Sequence, residues 1–371
     1  MSAALIELVS RGVQDTYTTS NPEVSFFRQN YKRYTNFAIK PERLDYIGTF
    51  GSNNEVTIPI RSKGDLLSYV WIEAANIGDT TGGTTGFFSK GDEPTEFSLW
   101  IGGQQVCRLD SLYIQGVHNL LYRPDGAKSS MAVTTTDVKA NAVGYSGTKA
   151  GHYLIPFFFS EDWTKSLPLV ALANHQVEIR IKCRANFTPS ETPKVYGTFI
   201  FCDTEEREFF VKNEHKLLIN QVQFQPMSAT DTEVDLSYFN HPTRAVHVVC
   251  SKNDGANWAA NYSFTESTLY INGTPLFDGT SNVYHHTIVP EMHTTSLPDD
   301  VLDTAALYTW PFALTLNKTQ MTGSLNFSRI DTARLKLKSP SGGASSILRA
   351  YGVNMNVLRI KDGMGGVAFG N

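Results

Sequence analysis

The sequence predicts an all-β protein: two tandem eight-stranded jelly rolls, with short helices in loops and at the N-terminus. Three observations lead there: alternating strand segments, turn residues between them, and one order of segments in both halves. "EVTIPI" (55–60), "HQVEIRIKC" (175–183), "RAVHVVC" (244–250) and "ARLKLKS" (333–339) carry apolar residues at every second position. That period sets one strand face on a core. Clusters such as "GDTTGGTTG" (78–86) and "KNDGAN" (252–257) punctuate them. Many short strands with regular turns favour sandwiches and barrels.

The repeat is weak in identity but consistent in order. "LWIGGQQVCRLDS" (99–111) resembles "LYINGTPLFDGTS" (269–281), with Leu99/Leu269, Ile101/Ile271, Gly103/Gly273 and Ser111/Ser281 coinciding. Each reads as strand, tight turn, strand, the signature of a hairpin. "HQVEIRIK" then precedes "VYGTFIF" (195–201), as "ARLKLKS" precedes "AYGVNMNV" (350–357). Three matches in one order imply two similar β-domains. Helical patterns are few: 2–12, with Ser2 as cap and Gly12 as stop; 109–122; and 204–218, where Arg207 stands in place of a capping-box acid.

The 371 residues suffice for two domains. A net charge of −4 and a pI of about 6.1 speak against a dedicated nucleic-acid binder. Cys107, Cys183, Cys202 and Cys250 form no CxxC pair and read as reduced, packed thiols. The segment "MSAALIELVSRG" is too short and too acidic for a secretory signal. No apolar run approaches the ~18 residues of a membrane span. Sequons at Asn186, Asn261, Asn272, Asn317 and Asn326 read as chance matches.

Catalytic patterns are missing. "GMGGVAFG" (363–370) lacks the strand–loop–helix context of a phosphate loop, and no GxSxG occurs. The acid pairs Asp299-Asp300 and Glu205-Glu206 read as solvated surface. His285, His286, Glu291 and His293 raise a cupin-like metal site, but adjacent histidines on a strand face opposite ways. His118, His152, His175, His215, His241 and His247 are isolated and read as structural. Expected, then, are no enzyme activity, no cofactor and no metal. The competing reading, a β-sandwich carbohydrate-binding or cupin-like protein, would need convergent ligands.

One further stretch, "SFFRQNYKRYTNFAIKPERL" (25–44), interleaves bases with Phe26, Phe27, Tyr31, Tyr34 and Phe37. It belongs to a longer pattern. "ALIELVSRGVQDTYTTSNPEVSFFRQNYKRYTNFA" (4–38) resembles the N-terminus of major capsid proteins of nucleocytoplasmic large DNA viruses. The resemblance continues in order through "IGGQQV", "LPLVALANHQVEIRI", "DTEER", "FNHPTR", "LYINGTPLF", "YTWPFALTLNKTQMTGSLNFSRID" and "YGVNMNVLRIKDGMGGVAFGN". The chain departs from the family at Gln320-Met321-Thr322-Gly323, where a Pro is lost and Gly323 keeps the turn. Connections at 252–262 and 278–287 look trimmed.

The resemblance implies a double jelly roll that homotrimerises into pseudo-hexagonal capsomers tiling an icosahedral shell. The virion capsid, assembled in the host cytoplasm, is the implied location. A minor double jelly-roll capsid paralogue is the alternative. The implied division is an arm over 1–34, a first jelly roll over 35–203, a connector over 204–215 and a second jelly roll over 216–371. In the N-terminal segment, Phe26, Phe27, Tyr31 and Phe37 are expected to anchor on the capsomer's inner face. Arg28, Lys32 and Arg33 would pair with acids of a neighbouring copy or a minor capsid protein, or face an inner membrane's anionic lipids. Direct genome binding is disfavoured by the acidic whole. The connector residues are Asp203, Glu205, Glu206 and Arg207, of which the last three are expected to fix the angle between the jelly rolls through ion pairs. Pro242 suits a strand's first residue. Arg329 and Asp331 are placed near a turn, bonding neighbouring backbone.

Overall fold

The computed structural model describes residues 7, 10–29, 31–61, 63–75, 77, 86–87, 93–122, 151–251, 262–294, 306–343 and 346–370. The turns expected at 78–86 and 252–257, Asn261, Asp299-Asp300 and the helix over 2–12 fall wholly or mostly outside these residues. The chain forms two compact units, Met1–Asn36 and Phe37–Asn371. The first carries the helical turn Thr16–Thr19, ahead of which Asp15 Oδ2 accepts the Gly12 N–H at 2.8 Å.

The second unit holds both β-domains. Its first half runs β1 (Phe37–Leu44), β2 (Glu55–Ile60), β3 (Leu66–Glu73), β4 (Glu96–Ile101), β5 (Gln104–Asp110), β6 (His152–Ile155), β7 (Val177–Lys182) and β8 (Lys194–Cys202). Its second half runs β9 (His215–Met227), β10 (Glu233–Asp235), β11 (Pro242–Cys250), β12 (Glu266–Ile271), β13 (Thr274–Ser281), β14 (Leu307–Pro311), β15 (Ala333–Lys338) and β16 (Leu348–Lys361). The sheets are β1-β8-β3-β6 with β2-β7-β4-β5, and β9-β16-β11-β14 with β10-β15-β12-β13. Both halves thus have one strand order, that of a jelly roll.

The correspondence reaches single residues. Gly197 pairs with Val70 as Gly352 pairs with Val246. A bulge falls between Leu67 and Val70 in one half and between Thr243 and Ala245 in the other. The repeated hairpins turn at Gly102-Gly103 (φ +57° and +81°) and Asn272-Gly273 (φ +48° and +81°). Two successive positive φ values define a type I′ turn, which is why Gly and Asn stand there.

Alternation sets the cores. Val56, Ile58 and Ile60 of β2 point inward, as do Ala333, Leu335 and Leu337 of β15. Phe87, Phe97, Tyr153 and Phe187 cluster in the first core; Trp310, Phe264 and Tyr308 do so in the second. Each such side chain contributes about 1.5–3 kcal/mol by burial.

The structure corrects two expectations. β11, read as alternating, is buried from Thr243 through Cys250, including Arg244 and His247. Its second face is covered by the first jelly roll, so no solvent face remains. Residues 278–287 are not a loop: β13 runs to Ser281 and helical turns follow over Tyr284–Ile288 and Val289–His293. Other expectations hold. Pro242 opens β11. Gly323 stands at φ +128°, where glycine is favoured, beside Thr322, whose side chain bonds that of Thr315. The pattern at 109–122 forms Ser111–Tyr113 and the π-type turns Ile114–Tyr122, capped by Asp110, which accepts the Tyr113 N–H at 2.7 Å.

Candidate assembly surfaces

The two jelly rolls meet along a seam. On the second, the outward row of one sheet is Phe224, Tyr351, His247 and Thr309, four side chains in register across β9, β16, β11 and β14. Strand β5 and residues 111–122 of the first lie on that row. The Arg108 guanidinium sits 5.0 Å over the Phe224 ring, Tyr113 lies 5.4 Å from Tyr351, and the Tyr122 hydroxyl is 2.8 Å from His247 Nε2. Gln221 Nε2 donates to the Val106 carbonyl at 2.7 Å.

Charge is buried at one end of this seam. Arg349 Nη1 donates to Asp110 Oδ2 at 2.6 Å, and the Tyr351 hydroxyl donates to the same carboxylate at 2.8 Å and 2.9 Å. Arg349 also pairs with Glu93 and stacks 4.2 Å over Phe224. Burial pushes the Asp110 carboxyl upward, while Arg349 and the hydrogen bonds from Tyr113 and Tyr351 pull against it. A cavity of about 450 Å³ opens here, lined among others by Arg108, Asp110, Arg349 and Tyr351. Sequence reasoning missed this group. Its one trace was charge inside apolar runs, "CRLDS" and "LRAYG".

The C-terminal glycines belong to the same seam. Met364–Val367 pairs with β16, Asn174 Nδ2 donates to the Asp362 carbonyl, and the Gly365 carbonyl lies 3.0 Å from His175 Nδ1. A Cβ on Gly365 would stand 2.6 Å from Leu172 Cδ2. Close approach of two domains, not phosphate, accounts for this glycine.

The connector forms the helix Thr204–Lys212 despite its missing capping box. Asp203 caps it by accepting the Thr204 N–H, Glu205 and Glu206 occupy its first turn and Lys212 its last, as the helix dipole favours. Arg207 makes the ion pair, gripping Asp65 through Nε at 2.9 Å and Nη2 at 3.0 Å. Asp65 Oδ2 also accepts the Cys202 N–H, which ties the helix start to β3 and β8.

In the arm, Phe26 is 92% exposed, Phe27 100% and Tyr31 78%, and Arg28, Lys32 and Arg33 are exposed beside them. His285 is buried and bonded to Ser267, Thr280 and the Thr309 carbonyl, while His286 and His293 bond carbonyls of 307 and 313. Among the described residues no three His, Cys, Asp or Glu side chains are placed to hold a metal. The four thiols are free and buried; burial pushes Cys107 and Cys250 up to about 12 and Cys183 and Cys202 to about 11. Near the turn at 326–331, it is the Asp331 backbone N–H that donates, to Asn272 Oδ1.

Known proteins share this architecture. Residues 25–199 match the family model for the major capsid protein N-terminus, and residues 206–366 that for the large eukaryotic DNA virus major capsid protein. The chain is 27% identical to a major capsid protein of Pyramimonas orientalis virus and 28% identical to one of Paramecium bursaria Chlorella virus 1, with 100% of each chain covered. Against the PBCV-1 capsid quasi-atomic model the TM-score is 0.73 at 24% identity, covering 94% of this chain and 100% of that one. Against the Faustovirus major capsid protein it is 0.65 at 10% identity, covering 95% of both.

Proposed function

We propose, given that this chain belongs to the major capsid proteins of large eukaryotic DNA viruses, that three copies close into a trimer of pseudo-hexagonal outline. Such trimers tile an icosahedral shell, and the chain's work lies in its interfaces rather than in catalysis. The observation that carries this is the residue-level repeat. Two jelly rolls of one strand order per chain, in three chains, supply the six similar bodies that a hexagonal outline needs. The arm supports a second tier of contacts. Exposed Phe26, Phe27 and Tyr31 beside Arg28, Lys32 and Arg33 suit the buried centre of an interface with minor capsid proteins beneath the shell. Assembly in the host cytoplasm belongs to the same reading.

The test is the solution mass of the purified chain by light scattering, with negative-stain images of the same peak. Three times the 41.2 kDa chain mass, with hexagonal particles, is the expected result. Interfaces of the obligate class bury ~2,000 Å² or more. A stable, monodisperse monomer at micromolar concentration would overturn the proposal.

A further inference from the structure

A lysine, a glutamate and an asparagine meet where the two jelly rolls join. Glu161 of the first follows the helical turn Phe158–Ser160, and Lys165 ends the next turn, Trp163–Lys165. Asn220 lies on β9 of the second. Lys165 Nζ donates to Glu161 Oε2 at 2.8 Å, and Asn220 Nδ2 donates to Glu161 Oε1 at 2.6 Å. One carboxylate thus holds an amine on one oxygen and a carboxamide on the other. Asp162 pins the same segment to the second jelly roll. Its Oδ1 accepts the Thr164 N–H at 2.9 Å, and its Oδ2 accepts the Thr319 hydroxyl at 3.2 Å.

The three groups sit in a dry part of the seam. The Lys165 side chain is 8% exposed and that of Glu161 19%, so water competes little for the amine. Burial first, and the Glu161 charge after it, push the neighbouring Cys107 thiol up to about 12. Asn220 Oδ1 is buried and accepts no hydrogen bond among the described residues. An amide kept only to hold the seam together would not leave its carbonyl open.

We infer that Lys165 and Asn220 join in an isopeptide bond that the chain forms by itself, with Glu161 carrying the proton. Transfer of a proton from Lys165 Nζ to Glu161 Oε2 leaves the net charge of the pair unchanged and frees the lone pair of the amine. Nζ then attacks Asn220 Cγ and a new C–N bond forms. Glu161 gives its proton to Nδ2, the nitrogen already bonded to it, and the Cγ–Nδ2 bond breaks. The surplus proton on Nζ leaves with the ammonia. One lysine ammonium and one carboxamide become one secondary amide and one ammonium ion, and nothing is oxidised or reduced. The product bolts the first jelly roll to the second by a bond that no reductant opens, in a chain whose four cysteines are free. Closing the loop between residues 165 and 220 restricts the unfolded chain as a disulfide would. The bond lies within one copy and does not depend on the trimer.

Denaturing mass spectrometry of the purified full-length chain tests the bond. The expected mass is lower than that of the sequence by about 17 Da, one ammonia. A tryptic digest is expected to hold one branched peptide joining the Lys165 segment to the Asn220 segment. Lys165→Arg keeps the cation but removes the nucleophile, and it should restore the full mass, as should Asn220→Ala. Glu161→Gln should cut the cross-linked fraction by roughly tenfold or more. A wild type at full mass, or one that loses ammonia without the branched peptide, would overturn the bond, and that reading needs no variant to fold. Circular dichroism separates folded from misfolded variants. A folded Lys165→Arg chain that still loses ammonia would assign the loss to another amide and overturn the bond as well. A Glu161→Gln chain cross-linked as fully as wild type would overturn the role of Glu161.

Discussion

Acid should loosen this protein through two histidines before its carboxylates matter. His247 is wholly buried against Tyr122 and Thr309, and burial pushes its pKa down from 6.5 to about 3. His285 is equally enclosed and is pushed down to about 4, although the Thr309 carbonyl favours its charged form. Both rings are neutral in the folded chain and protonate near 6.5 when unfolded. The unfolded state therefore binds more protons below pH 6.5, and stability falls as the pH drops toward each folded value. One group contributes a slope of about 1.4 kcal/mol per pH unit. At pH 5 each histidine has cost ~2 kcal/mol, ~4 together, a large share of a typical domain's stability. Hydrogen bonds hold Asp162 and Asp235 below the usual 3.8, so their losses begin only near that value. Asp110, raised by burial, acts with the opposite sign. Urea unfolding at fixed protein concentration between pH 6.5 and 5 measures the net slope. His247→Gln should lower that slope by about 1.4 kcal/mol per pH unit, and adding His285→Gln should lower it by as much again. Equal slopes for parent and double variant would refute the assignment of acid sensitivity to these rings.

Three further outcomes follow. Arg349→Met leaves Asp110 buried without its cation and should cost ~3–5 kcal/mol in urea unfolding, whereas Arg349→Met with Asp110→Asn should cost clearly less. Gly365→Val drives a side chain into Leu172 and should lower stability by ~1–3 kcal/mol, read as a reduced thermal midpoint. Deleting residues 1–34 should leave trimers by light scattering but impair shell formation in electron micrographs; a truncated chain that cannot fold would show that the segment belongs to the core.

The strands were legible because a buried face enforces a period. "EVTIPI" and "ARLKLKS" repeat apolar residues where a core demands them, and the I′ turns demand Gly or Asn at fixed places. The helix at 204–212 is shorter than the pattern 204–218 because His215 already opens β9, and its cap is Asp203, one residue before Thr204. "RAVHVVC" misled for a different reason. Its polar residues Arg244 and His247 look solvent-facing, yet His247 lies against Tyr122 of the first jelly roll and Arg244 is buried, donating to the Lys318 carbonyl. Period alone cannot distinguish water from a partner with hydrogen bonds to offer.

That ambiguity also explains why the repeat is strong inside and weak outside. Core positions such as Val70 and Val246, or Gly197 and Gly352, hold the same register place in both jelly rolls and keep the same residue. The outer rows do not. Phe224, Tyr351 and His247 face residues of their own chain and so depend on Arg108, Tyr113 and Tyr122. Among the described residues Arg43, Tyr196 and Trp71 face nothing comparable, and stand as a cation beside two stacked rings. Chain connectivity makes the contact of Phe224, Tyr351 and His247 with the first jelly roll permanent. The permanent contact can hold a buried Asp110–Arg349 pair, because its partners never separate after folding. A contact that must form between free molecules favours exposed apolar and charged groups that stay soluble until they meet. The divergence of the two rows is what assembly from separate chains would require.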